Sequence, residues 1–86
     1  MEFEFDTKKS DGNKEKHGLN FIEAQKLWND PDRIEIRTKF IDEPRTVLIG
    51  KIEDKHWSAI FTFRNNKIRL ISVRRAREYE KKIYNR

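Results

Sequence analysis

The spacing of apolar residues changes once along this chain, from about 3.6 to 2, and that change limits its fold more than any other feature. Residues 33–41 read RIEIRTKFI, with Ile34, Ile36, Thr38 and Phe40 alternating against Glu35, Arg37 and Lys39. Alternation of this kind turns one set of side chains inward and the other to water, so the segment is a half-buried strand. Three similar runs come after it. TVLIGKI (46–52) is a second strand, in which Gly50 marks a bulge or a close approach. WSAIFTFR (57–64) sets Trp57, Ala59, Phe61 and Phe63 on one face. IRLISV (68–73) comes after the tight turn RNNK, where Asn tolerates positive φ, and its alternation sets Arg69 and Ile71 against Ile68, Leu70 and Ser72.

Upstream of these strands the signals are helical. Asp6 can cap a helix over about residues 7–17. Its interior is polar and includes Gly12, so it depends on tertiary contacts. Phe3 and Phe5 before it form a short edge strand or act as anchors. In NKEKHGLNFIEA (13–24), Gly18 can close that helix in the left-handed conformation, while Lys16 and His17 suit the negative end of its dipole. Asn20 and Glu23 form a capping box for a second helix, about residues 20–29, with Phe21, Ala24, Gln25 and Trp28 as its apolar stripe and Asp30-Pro31 as its stop. At the other end, Ala76, Tyr79 and Ile83 recur at helical spacing in a segment from Arg74 to about Asn85. The reading is an α+β domain over residues 1–86. It has two N-terminal helices, a four-stranded antiparallel meander packed on helices by one face, and a C-terminal helix.

An 86-residue chain buries roughly 60–65% of its unfolded surface, which demands a compact core rich in large side chains. Six Phe, two Trp and two Tyr meet that demand. With no Cys there is no disulfide framework and no thiolate zinc site, in keeping with a reducing compartment. Neither a secretory signal nor a long apolar run is seen, so a soluble, cytoplasmic protein with no membrane association is expected.

Charge is unevenly placed. Residues 64–86 hold nine bases (Arg64, Lys67, Arg69, Arg74, Arg75, Arg77, Lys81, Lys82, Arg86) against Glu78 and Glu80, a local +7, whereas the first 63 residues carry eleven bases and thirteen acids. Such a concentration suits a polyanion or an acidic protein partner, and equally a solvated helix face. The guanidinium fork matches a phosphodiester and keeps its charge at any physiological pH. Arg64, Arg69, Arg74 and Arg75, at neighbouring strand ends, are therefore the candidate phosphate ligands. The bland reading is ion pairing to Glu35, Glu43 or Glu53, which accounts for one arginine more easily than for a cluster.

No other chemistry is signalled by motif. His17 and His56 lie in different turns without metal-ligand spacing, and there is neither a Gly-rich phosphate loop nor a nucleophile elbow. No cofactor is called for.

Several separate stretches do carry a resemblance: FEFD (3–6), N--KHG (13–18), F-EA (21–24), E-R---IG (43–50), FT-R (61–64) and IRLISVRRA (68–76). In this order they resemble the BrnT family, the toxins of bacterial BrnT/BrnA type II toxin–antitoxin modules. The resemblance implies a RelE-like small ribonuclease fold, metal-independent endoribonuclease activity and inhibition of translation. It also implies neutralisation by a BrnA-like antitoxin with a ribbon-helix-helix domain, which alone contacts operator DNA and, being dimeric, suggests a 2:2 complex. Lys16, His17 and Gly18 match the family's KHG. Glu43 and Arg45 match its acidic–basic pair, and Arg64, Arg69, Ser72, Arg74 and Ala76 match the rest. Phe5 stands where the family usually has Trp and Val73 where Ala is common, both apolar exchanges.

The chemistry this implies is attack of a ribose 2′-hydroxyl on the adjacent phosphorus, which requires a base, cations for the phosphorane oxygens and a proton for the leaving oxygen. Arg64 and Arg74 are the expected cations, with Glu43 or His17 as base or acid. His17 is the easier choice near neutrality; Glu43 would need burial to raise its pKa. Lys16, Arg45, Arg69, Ser72, Arg75 and Arg77 are the expected RNA contacts, and Trp28, Trp57 or Tyr79 could stack a base. Each has a plainer role available: His17 as a cap, Ser72 as a hydrogen bonder, both Trp as core. The alternative is a basic module that binds nucleic acid or an antitoxin without cutting.

Overall fold

The computed structural model describes residues 2–38 and 44–86. Among the described residues five strands form one sheet: β1 (Phe3–Glu4), β2 (Ile34–Thr38), β3 (Arg45–Ile52), β4 (Lys55–Arg64) and β5 (Lys67–Arg75), in the order β1-β5-β4-β3-β2. The four period-2 segments pair as the antiparallel meander expected of them. β1 is the addition. It runs parallel to β5, with Phe3 opposite Ile68 and Glu4 opposite Arg69, which corrects the four-stranded expectation to five. Two residues are too few to show a period.

Three helices complete the α+β fold: α1 (Thr7–His17), a 3-10 helix (Glu23–Asn29) and α2 (Glu78–Tyr84). α1 begins where Asp6 accepts the Lys8 and Lys9 amides at 2.8 and 3.2 Å, and ends at Gly18, whose φ is +89°. The capping box is present, since Asn20 Oδ1 accepts the Glu23 amide at 2.7 Å while Glu23 Oε1 accepts the Asn20 amide at 3.0 Å. The helix it opens is wound more tightly than an α-helix. Phe21, Ala24 and Leu27 are all buried, at 1%, 0% and 0% exposure. A spacing of three lines up on a 3-10 helix, so the buried set selects that geometry over the α-spaced stripe ending at Trp28.

The core lies between one face of the sheet and the 3-10 helix with the turn before it, where Leu48, Trp57, Ala59, Phe61, Ile68, Leu70 and Val73 meet Leu19, Phe21, Ala24 and Leu27. Trp28 packs edge-on against Phe3 and Phe61, with centroids 5.0 and 5.2 Å away. Gly50 marks a close approach: a Cβ there would stand 3.2 Å from Leu27 Cδ2 and 3.4 Å from Asp30 Oδ2.

Two boundaries move in ways that matter for function. β5 continues to Arg75, with Arg74 opposite Ser58 and Arg75 opposite Trp57, so the C-terminal helix starts at Glu78 and not at Arg74. β5 also carries a bulge. Ile60 pairs with Ser72 while the next residue, Phe61, pairs with Leu70, leaving Ile71 as the extra residue. Ser72 is thereby moved from the face of Leu70 to that of Arg69.

Candidate nucleic-acid interface

The sheet's second face turns away from the core, and its register sorts side chains into rows. Next to α2 lie Ile34, Ile49, Ser58 and Arg74; then Ile36, Val47, Ile60 and Ser72. A third row holds Thr38, Arg45, Thr62, Arg69 and Glu4, and beyond it Arg64 pairs with Lys67 at the hairpin tip. The face thus grades from covered to apolar to cationic. Continuing the register by one residue brings Arg45 beside Thr62, which pairs with Arg69 and lies two residues from the Arg64–Lys67 pair; the Thr62 hydroxyl donates to the Pro44 carbonyl at 2.8 Å. Strands about 4.8 Å apart and diagonal neighbours about 7–8 Å apart bring long side chains from these positions within reach of one phosphate. Arg64 is exposed and has no ion pair among the described residues. Arg69 stands 3.6 Å from Glu4, an ion pair too long for a hydrogen bond.

The covered end is built around Glu80, whose residue is 2% exposed. Its carboxylate accepts from both terminal nitrogens of Arg74 (2.8 and 3.0 Å), from Ser58 Oγ (2.9 Å) and from the Arg77 amide (2.8 Å). Burial by itself would raise its pKa, but Arg74 first and then the Arg77 amide and Ser58 outweigh that and hold it down to about 2. Arg74, in turn, is raised further by the Glu80 hydrogen bonds. The far end of α2 is tied down by Tyr84, whose hydroxyl donates to Asp30 Oδ2 at 2.7 Å.

On the β5 edge beyond β1, a side chain replaces a strand. Asn13 of α1 donates to the Val73 carbonyl at 2.8 Å and accepts the Val73 amide at 3.1 Å, while also donating to the Leu19 carbonyl at 2.7 Å. Ser10, one turn earlier, accepts the Phe21 amide at 2.9 Å. His17 lies one turn beyond Asn13 on the same helix face, toward the Arg75 end of β5. Among the described residues it makes no hydrogen bond or ion pair, and Lys16 beside it is exposed.

The expected site residues therefore fall into two groups. Arg45, Arg64, Arg69 and Ser72 share the open face. Arg75 and Arg77 belong to the opposite end of the sheet, and Lys16 and His17 to the last turn of α1, whose Asn13 docks at Val73. Arg75 stacks over Trp57 at 5.5 Å and bonds the His56 carbonyl at 3.3 Å. Glu43 lies outside the described residues. The expected meeting of Arg64 with Arg74 does not occur: six residues of β4 separate their rows, about 20 Å at about 3.3 Å per residue. Arg74 is committed to Glu80. Trp57 is buried at 7% exposure and Trp28 is packed between two rings, whereas Tyr79 is 56% exposed.

A cleft of about 900 Å³ is lined by Glu23, Lys26, Asp30, Asp32, Lys51 and Tyr84 among others. Its mixed charge does not select an anion, so the open face and not the cleft is the surface matched to a phosphate backbone. Sequence reasoning missed Glu4, Asn13 and Glu80. Asn13 and Glu4 had a signal, their places in the N--KHG and FEFD stretches; Glu80 depends on partners across the start of α2.

A small α+β protein whose sheet presents an open, cationic face has the kind of surface a phosphodiester-binding domain needs. Residues 5–80 match the family model described as "Ribonuclease toxin, BrnT, of type II toxin-antitoxin system", and the chain belongs to that family. A comparison with curated proteins returned no match. The protein is thus a ribonuclease toxin whose partners are an antitoxin and RNA. No helix among the described residues is long and apolar enough to cross a membrane.

Proposed function

We propose that this toxin cuts RNA laid across the open sheet face, by attack of a ribose 2′-hydroxyl on the neighbouring phosphorus and without a metal ion. One observation carries the reading: the register sets Arg45, Thr62, Arg69 and Glu4 in one row, with Arg64 and Lys67 in the next. Attack at phosphorus concentrates negative charge on the equatorial oxygens of the phosphorane. Guanidinium groups already held around that position stabilise the transition state more than the substrate. Arg64 and Arg69, with Arg45, take this part. Lys67 and Ser72 hold flanking phosphates, while Lys16, Arg75 and Arg77, which lie off this face, serve only RNA that continues past the edge of the sheet.

Arg74 has a different part from the one its sequence context suggests. Its pair with Glu80 anchors α2 and so shapes the end of the face. Proton transfer by Glu43 or His17 is the scheme the family resemblance suggests; for His17, the docking of Asn13 at Val73, four residues along β5 from Arg69, argues against action at the arginine row. The remaining elements are a ribbon-helix-helix antitoxin in a 2:2 complex, which alone contacts operator DNA, and a cytoplasmic setting. The mass of the co-purified complex by light scattering checks the stoichiometry.

The test uses purified toxin with EDTA on end-labelled RNA, with both product ends mapped. Cleavage leaving a 2′,3′-cyclic phosphate and a 5′-hydroxyl, abolished by a 2′-deoxy sugar at the cut, is the expected result. Cleavage that requires a divalent ion contradicts the mechanism. Binding without cleavage by a folded sample selects the non-catalytic module instead.

A further inference from the structure

Attack by a 2′-hydroxyl needs a proton acceptor close to the cations that hold the phosphate, and neither acid–base candidate read from the sequence stands on the described part of the arginine row. Among the described residues, two glutamates are fixed on the second face by register or by helix docking. Glu80 is unsuited to accept a proton there, because five hydrogen bonds occupy its oxygens and a carboxyl held near 2 is a weak base at neutral pH. Glu4 differs in each respect. β1 pairs it with Arg69, so it points to the open face at the end of the row Arg45–Thr62–Arg69. Its side chain is 29% exposed, and its only described partner is Arg69 at 3.6 Å, a contact that orients the carboxylate yet leaves its lone pairs free.

We propose that Glu4 is the general base of this toxin, taking the proton of the attacking 2′-hydroxyl while Arg69 holds both the carboxylate and the phosphate. The proposal rests on the ribonuclease reading of the open face. In the step, the 2′-oxygen gives its proton to the Glu4 carboxylate and forms a bond to phosphorus. The bond from phosphorus to the 5′-oxygen breaks, and that oxygen takes a proton from solvent water. Products are a cyclic phosphate and a 5′-hydroxyl, and Glu4 later returns its proton to solvent. The arrangement also gives the short strand β1 a second purpose beside packing Phe3 on Trp28: parallel pairing at the edge of β5 is what carries a carboxylate to Arg69.

The experiment compares wild-type protein with E4Q, E4D and E2Q, measuring cleavage of a short labelled RNA with EDTA from pH 4 to 9. Binding of the same RNA with a 2′-deoxy sugar at the cut reports the phosphate contacts separately. General-base catalysis contributes roughly 10²- to 10⁴-fold, so E4Q is expected to lose about that factor in kcat and to bind the deoxy analogue within about threefold of wild type. The fall in rate toward acid pH should vanish in E4Q and persist in E4D. E2Q, one residue before β1, should keep the wild-type rate. If E4Q cuts within about threefold of wild type, or keeps the wild-type acid limb, Glu4 is not the base and only orients Arg69. Wild-type protein that binds the analogue but does not cut the RNA overturns the ribonuclease reading itself, and the Glu4 role with it.

Discussion

Arg74 and Glu80 face each other across the step from β5 into α2, joined by two hydrogen bonds of 2.8 and 3.0 Å. Because Ser58 and the Arg77 amide complete the set, the carboxylate is a junction of strand, turn and helix rather than a surface charge. Breaking a buried pair by removing one partner leaves the other desolvated, which typically costs 3–5 kcal/mol. Since Arg74 keeps 20% side-chain exposure, Glu80→Ala is expected at the lower bound, about 3 kcal/mol in chemical denaturation, with α2 loosened first.

The same junction sets a pH dependence. Glu80 has its folded pKa depressed to about 2 from an ordinary 4.5, so its contribution to stability is present above about pH 5 and is lost as pH falls toward 2. Asp30 and Glu23 are also lowered, Asp30 against the opposing effect of burial and Glu23 chiefly by the Asn20 amide, so they act in the same direction. Glu80→Gln should therefore be less stable than wild type at pH 7 and should show a shallower loss below pH 5. Parallel acid curves for the two proteins would show that the carboxylate is not what Arg74 needs.

Asn13 tests the edge of the sheet. Asn13→Ala leaves the Val73 amide and carbonyl and the Leu19 carbonyl without their partner in a buried place. Each such group costs about 1–3 kcal/mol, so a total loss of about 3 kcal/mol is expected. For a domain of this size that is a drop in Tm of about 12–24 °C. Amide exchange should accelerate at Val73 in particular.

Gly50 tests the close approach of the 3-10 helix. A methyl group there meets Leu27 at 3.2 Å, and Leu27 is wholly buried. Gly50→Ala is expected to destabilise by about 1–2 kcal/mol through overpacking, measured by thermal melting, whereas Gly12→Ala on the open side of α1 should stabilise by up to about 1 kcal/mol.

The sequence made the meander legible because each of its strands buries one face, and burial writes period 2 into the residues themselves. The same logic misread the second helix, where the buried positions are three apart and only the docked structure decides between α and 3-10. It misread Ser72 because one bulged residue, Ile71, inverts every facing assignment beyond it. Arg74 was legible as important, but its role was not: whether an arginine meets a phosphate or Glu80 depends on where α2 begins. Arg64, Arg69 and Arg45 were each visible as cations, yet only the pairing of three strands reveals that they share a face. Lys16 and His17 end α1 as expected, but α1 docks at Val73, so they sit toward Arg75 and away from the arginine row.

The most direct test of the central claim compares cleavage rates of Arg64→Ala and Arg69→Ala with Lys9→Ala, a cation on exposed α1 surface, all on one RNA at one salt concentration. Removing a donor to a developing oxyanion costs about 10²- to 10³-fold, so each arginine variant should fall by that much while Lys9→Ala stays within about threefold of wild type. Equal, modest losses in all three would mean that positive charge acts only in bulk, and that the arginine row is not the site of cleavage.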